Sequence, residues 1–149
     1  MSDANPSAPA FGPFEVTADP LSADQLAAAV QTAGDGAVVL FIGLVRDNHQ
    51  GKRVIALEYE AYPELAVREM RALSEAVAAQ YGLHGIGIRH RIGRLAVGEV
   101  SVIIAVAAPH RAAAFAACVD ALDRLKATVP VRKKEWYTDG SAWIGQAAG

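Results

Sequence analysis

The chain has 149 residues, 52% hydrophobic and 20% charged, with a formal net charge of -2 at pH 7. That length suits one domain burying about two-thirds of its unfolded surface. The mild acidity argues against nucleic-acid binding driven by net charge, and no run reaches the ~20 apolar residues of a membrane helix. The single cysteine excludes an internal disulfide and fits a reducing cytoplasm.

Residues 1–13 (MSDANPSAPAFGP) read as a flexible leader without the basic and apolar regions of a secretion signal. The rest, 14–149, reads as one domain. Phe14-Glu15-Val16 is a short strand, and a helix runs from Ser22, its N-cap, to Ala33. Gly34-Asp35-Gly36 is a turn. Ala37 to Val45 (AVVLFIGLV) has the near-continuous apolar character of a buried strand. Arg46 to Lys52 is a polar loop, and Arg53 to Ala61 a strand. Pro63 opens an amphipathic helix burying Ala66, Met70, Leu73 and Val77.

Gly85 to Ile92 is the next strand, Leu95 to Gly98 a turn, and Glu99 to Ala107 (EVSVIIAVA) a strong strand. A helix from His110 to Thr128 buries Phe115, Val119, Leu122 and Leu125, and Pro130 stops it. Val131 to Tyr137 and Ser141 to Ile144 pair as strands around a turn at Thr138-Asp139-Gly140. The order predicts an α+β fold with a largely antiparallel sheet.

Charge is unevenly spread. Residues 89–149 hold nine Lys and Arg against five acids, whereas residues 1–88 hold five against eleven. This gathering predicts a compact pocket for an anionic ligand. His110 and Arg111 open a helix, where unpaired N–H groups and the dipole attract anions; solvated side chains, or an Arg111 ion pair to Asp120 or Glu135, are the plainer alternative. Lys126 sits beside the helix's apolar stripe, as a ligand contact or as a stem covering the core. On a strand, Arg132 and Lys134 face one way while Lys133 shares a face with Val131; an edge strand guarded by charge would look the same. Arg46 is delivered to a loop mouth, and arginine suits bidentate phosphate recognition.

Cys118, among alanines and without a CxxC partner, reads as a packing residue. His49, His84 and His90 lack metal-ligand spacing, so no metal is expected. Neither GxGxxG, GxxxxGK[ST] nor GxSxG occurs.

In order along the chain, FIGLVR, LEYEAYPELA, HRIGRLAVGE, AAPHR opening a helix, LK and PVRKKE resemble the catalytic (large) subunit of molybdopterin synthase, over roughly Gly36 to Trp143. The resemblance implies an α/β hammerhead-like fold. It also implies a sulfurtransferase that converts cyclic pyranopterin monophosphate into molybdopterin, in molybdenum cofactor biosynthesis. Sulfur would come from a thiocarboxylate on the C-terminal Gly-Gly of a small ubiquitin-like subunit, within a heterotetramer built on a homodimer of the large subunit. No cofactor is implied. Carried over, Leu44, Val45 and Arg46 fall on the family's anion-binding segment, and His110 and Arg111 on its phosphate pair. Lys126 and Lys133 fall on its catalytic lysines, with Lys134 and Glu135 beside them. Arg132 stands where the family often has an aromatic residue, and fewer residues follow Trp143 than in many relatives. The other reading is a non-catalytic phosphate- or nucleotide-binding module using His110 and Arg111.

Overall fold

The computed structural model describes residues 13–146. The leader expected over 1–13 therefore lies, save Pro13, outside the described residues, as do the last three positions of the chain.

The elements are β1 (Phe14–Thr17), α1 (Ala23–Val30), β2 (Ala37–Leu44), β3 (Asn48–His49), β4 (Lys52–Glu60), α2 (Pro63–Tyr81), β5 (Gly85–Arg91), β6 (Gly93–Ala96), β7 (Val100–Ala108), α3 (Arg111–Thr128), β8 (Arg132–Tyr137) and β9 (Gly140–Gln146). One sheet runs β1-β5-β7-β2; a second runs β3-β4-β8-β9, with β6 also on β4. Among the described residues only β1 and β5 pair in parallel. The fold is α+β and largely antiparallel, as the element order implied.

β7 forms the centre of the first sheet, and Ser101 to Ala108 are all buried. Its alternate residues Ile103, Ala105 and Ala107 pack with Leu26 and Val30 of α1. Val102, Ile104, Val106 and Ala108 join the larger core on the other face, with Met70 and Val77 of α2 and Ala117 and Ala121 of α3. A strand covered on both faces has no polar side to show, hence its continuous apolar run.

The run in β2 has a different cause. It was expected to be buried, yet it is the sheet's edge strand, and Leu40, Ile42 and Leu44 are exposed. Helix α1, at eight residues and about 12 Å, covers β5 and β7 and reaches only Val38 of β2. The outer apolar residues of β2 are left uncovered.

Ser22 does cap α1, accepting from the Gln25 N–H. The helix ends at Val30 rather than Ala33 because Asp35 takes both the N–H and the hydroxyl of Thr32, at 2.7 and 3.0 Å, and pulls the chain into the turn. α2 buries the expected Ala66, Met70, Leu73 and Val77, with Ser74 between them. It closes on Gly82, whose φ of 67° suits glycine and whose N–H bonds the Ala78 carbonyl.

On α3 the expected face is half right: Leu125 is buried and Leu122 packs against the core, but Phe115 and Val119 do not. Ala114, Ala117, Cys118, Ala121 and Leu125 are buried, whereas Phe115 and Val119 lie 59% and 62% exposed. A stripe of small residues lets the helix backbone approach the sheet closely, so the bulkier side chains are turned outward.

Two short strands were read as loop and turn. β3 is only Asn48–His49, and β6 takes in Leu95, a fully buried side chain opposite Leu57. Their pairing with β4 is long-range, and neither is long enough to show a period. The β8–β9 hairpin turns where expected. Its outer face stacks Arg132 over Trp143 at 4.2 Å, Lys134 over Trp143 at 4.6 Å and Arg94 over Trp136 at 4.6 Å.

His90 on β5 is fully buried, edge-on to Tyr59 at 5.0 Å between centroids. It donates from Nδ1 to the Arg91 carbonyl at 2.7 Å. Burial pushes its pKa down to about 4. The unfolded chain, titrating near the ordinary imidazole value, binds this proton first as pH falls, so the native state loses stability below about pH 6.5. From pH 7 to 5 that loss is about 2 kcal/mol. Urea unfolding of His90→Leu should show most of this acid-side loss removed; an unchanged pH slope would mean that His90 is not its source.

Candidate active site

A cavity of about 560 Å³ opens where the two sheets meet. Its walls come from the end of β2, the β3 hairpin, β4, the start of β7, the last turn of α3 and β8.

Arg46 reaches it because Val45 is locked just before it. The Val45 side chain is buried in the core; its N–H bonds the Glu99 carbonyl at 3.0 Å, and its own carbonyl accepts from Gly98 at 2.7 Å. The strand is irregular between Gly43 and Leu44, and a Cβ on Gly43 would stand 2.7 Å from Val102 Cγ1. The absent side chain lets β2 lie close to β7 there. Ser101 then donates its hydroxyl to the Gly43 carbonyl at 3.3 Å.

Lys126 stands in the last turn of α3, where the helix dipole favours a cation. After α3 the chain turns through Val129 and Val131, both buried. β8 thus begins with fixed parity: Arg132 and Lys134 face outward, Lys133 and Glu135 inward.

Lys133 is half-buried in the cavity wall. Desolvation lowers its pKa; the Glu135 carboxylate works against that, and Arg46 and Lys126 add to it. Glu135 is only 3% exposed and accepts a short hydrogen bond from the Tyr137 hydroxyl. Its other oxygen lies 3.5 Å from His49 Nδ1. Tyr59 is buried against the same cavity, and burial raises its phenol's pKa.

Three cations and one carboxylate thus face one partly enclosed space. Such a site attracts an anion, and a lysine whose pKa is lowered gives up its proton more readily than a solvated one. Among the described residues no ion pair engages Arg46, Lys126 or Arg111.

Of the nine residues the sequence singled out, Leu44, Arg46, Lys126, Lys133 and Glu135 line this cavity. Four do not. Val45 is the wedge beneath it. Lys134 lies on the outer face of β8 over the tryptophans. His110 occupies the N-cap position of α3 without a side-chain cap bond, and both it and Arg111 are exposed. From Arg111 to Lys126 the helix rises about 22 Å, so one chain cannot bring both ends to one small ligand. The compact pocket expected from the whole cation cluster is therefore three separate places. Arg132, over Trp143 and ion-paired to Glu60 at 3.0 Å, also lies outside the cavity.

Sequence reasoning missed His49, Tyr59 and Ser101. His49 was weighed only as a metal ligand, and nothing local marks the loop as half of a cavity wall. Cys118 is buried within the α3 stripe, where burial raises its thiol's pKa and so disfavours the thiolate.

The α+β fold thus holds, between its two sheets, a cationic cavity that no cysteine lines and that suits an anionic ligand. The chain matches the family described as MoaE protein over residues 16–128. Curated relatives named molybdopterin synthase catalytic subunit include that of a Nostoc species, 41% identical over 91% of this chain and 83% of the relative. The Homo sapiens protein is 43% identical over 87% of this chain and 69% of its own length. Among solved structures, molybdopterin synthase from Staphylococcus aureus superposes with a TM-score of 0.88 at 36% identity, covering 91% of this chain and 98% of that one. A complex of subunits 1 and 2 of the molybdopterin-converting factor from Helicobacter pylori, at 16% identity and a TM-score of 0.73 over 91% and 92% of the chains, shares the fold. The chain belongs to the MoaE family, the family of molybdopterin synthase catalytic subunits.

Gly43→Ala should cost about 1–3 kcal/mol, because the added methyl overpacks against Val102. Thermal unfolding checks this, and full stability would mean that β2 shifts freely at the cavity.

Proposed function

We propose that this chain is the catalytic subunit of a molybdopterin synthase, converting cyclic pyranopterin monophosphate into molybdopterin. The observation that carries the reading is the cavity joining Arg46, Lys126 and Lys133, in a chain of this family. Its size lies within the roughly 300–1,000 Å³ of small-ligand sites. The cyclic phosphate meets Arg46, which can grip two of its oxygens at once. The sulfur arrives as a thiocarboxylate on the C-terminal glycine of a small ubiquitin-like subunit, which enters as an extended segment held by backbone hydrogen bonds and ends near Lys126. Attack by that sulfur and departure of oxygen develop negative charge, which Lys126 and Lys133 stabilise or protonate.

Lys133 suits the proton-transfer role better, since burial and its two cationic neighbours already favour its neutral form. Glu135 works in the opposite direction. This acid–base tuning favours an enzyme over a non-catalytic phosphate module. The partner supplies the sulfur, so the inert Cys118 is no obstacle.

His110 and Arg111 can serve the phosphate only from a second copy, because of their distance along α3. The uncovered Leu40, Ile42 and Leu44, running along β2 to the cavity mouth, support a homodimer at the heart of a heterotetramer. The setting is cytoplasmic. In keeping with that, no helix among the described residues is long and apolar enough to cross a membrane.

The direct test mixes purified protein with a thiocarboxylated, Gly-Gly-terminated partner and the cyclic substrate, then assays molybdopterin. In that assay Lys126→Ala should lose activity at least about a hundredfold, while its unfolding free energy moves by no more than about 1 kcal/mol. Wild-type turnover would remove Lys126 from the mechanism. Cys118→Ala should stay within a few-fold of wild type; complete loss in a folded variant would instead indicate a persulfide on this chain.

A further inference from the structure

Besides the three cations, one more ionisable side chain that can gain positive charge lines the cavity. His49 belongs to the two-residue strand β3, opposite Lys52 in register. It is about a quarter exposed, and its Nδ1 faces Glu135 Oε2 at 3.5 Å. That carboxylate is fixed from its other side by Tyr137 and is almost wholly buried, so its field at His49 is little screened. Among the described residues nothing bonds the imidazole's Nε2, which remains available to a ligand.

The surrounding charges oppose one another. Arg46, Lys126 and Lys133 share the cavity with His49, Lys52 faces it across the hairpin, and Glu135 is the carboxylate beside it. Lys52 is drawn aside over the Tyr137 ring, at 4.5 Å. Asp47, next in the loop, accepts from the Asn48 amide at 3.0 Å. An anion entering the cavity adds a second negative neighbour to the imidazole. Imidazole is the side chain whose ordinary titration falls between pH 5 and 8.

Resting on the proposed function, we propose that His49, oriented by Glu135, is a fourth and proton-dependent contact to the anionic phosphate of the substrate. Binding then takes up a proton, and affinity rises as pH falls. The ligand adds no such dependence of its own, because a cyclic phosphate diester lacks the second ionisation that a phosphate monoester has near pH 6.

The test is calorimetric binding of cyclic pyranopterin monophosphate to the full chain at pH 6, 7 and 8, in buffers of different ionisation enthalpy. Wild type should bind about tenfold more tightly at pH 6 than at pH 8, the gain expected of one charge-assisted hydrogen bond, with net proton uptake. His49→Gln should lose most of the rise and of the uptake. His49→Lys, with a fixed charge, should bind tightly with little pH dependence; its behaviour keeps the test decisive if the glutamine variant folds poorly. A rise that survives in His49→Gln, or that vanishes only in His110→Gln, overturns the inference while leaving the cavity reading intact. Failure of wild type to bind the substrate at any pH takes down both.

Discussion

Strand β7 is the constraint on which the rest depends. Both of its faces are buried, so it must have α1 on one side and the α2–α3 layer on the other, with β5 and β2 as hydrogen-bonded neighbours. Fully burying a side chain such as Ile103 or Ile104 is worth about 1.5–3 kcal/mol, and several do so in one strand. Its first residues, Ser101 and Val102, floor the cavity. Its last lead through Pro109 into α3, whose far end carries Lys126. The same strand therefore sets the base of the site and aims the helix that supplies one of its lysines.

The second sheet supplies the other half of the site, and there polar energetics matter more than burial. Glu135 is a buried carboxylate, costly unless satisfied. Tyr137 and His49 provide that satisfaction. A buried charge is weak evidence for stability. Its value here is electrostatic: it places a negative charge beside the half-buried Lys133 at the cavity wall. The outer face of the same hairpin disposes of surplus cations by stacking them on Trp136 and Trp143.

Much of the fold could be read from local pattern. The 3.6-residue spacing of Ala66, Met70, Leu73 and Val77 placed α2 and its buried face, and Ser22 and Pro63 marked helix starts through capping and ring geometry. Where the reading failed, the deciding partner was distant. Phe115 and Val119 fit an apolar stripe as well as the alanines beside them do, and only the closeness of the sheet and α2 selects the smaller set. The AVVLFIGLV run is as apolar as a central strand, but α1 stops short of it. β3 and β6 exist only because β4 offers them a ladder.

The site divides in the same way. Sequence alone determined that cations concentrate late in the chain, that Lys133 faces opposite to Arg132 and Lys134 on a strand, and that Cys118 is a packing residue. These follow from composition and from the period of a strand or helix. The order of motifs along the chain also carried the family. Only the tertiary structure decided which cations meet, because that depends on how α3 crosses the sheet and on the parity with which β8 enters the second one. It joined Arg46, Lys126 and Lys133 from segments far apart in sequence and set Lys134 on the opposite face. It also left His110 and Arg111 at the other end of a rigid helix and brought His49 to the Glu135 carboxylate, since helix length and strand pairing fix distances that no local pattern encodes.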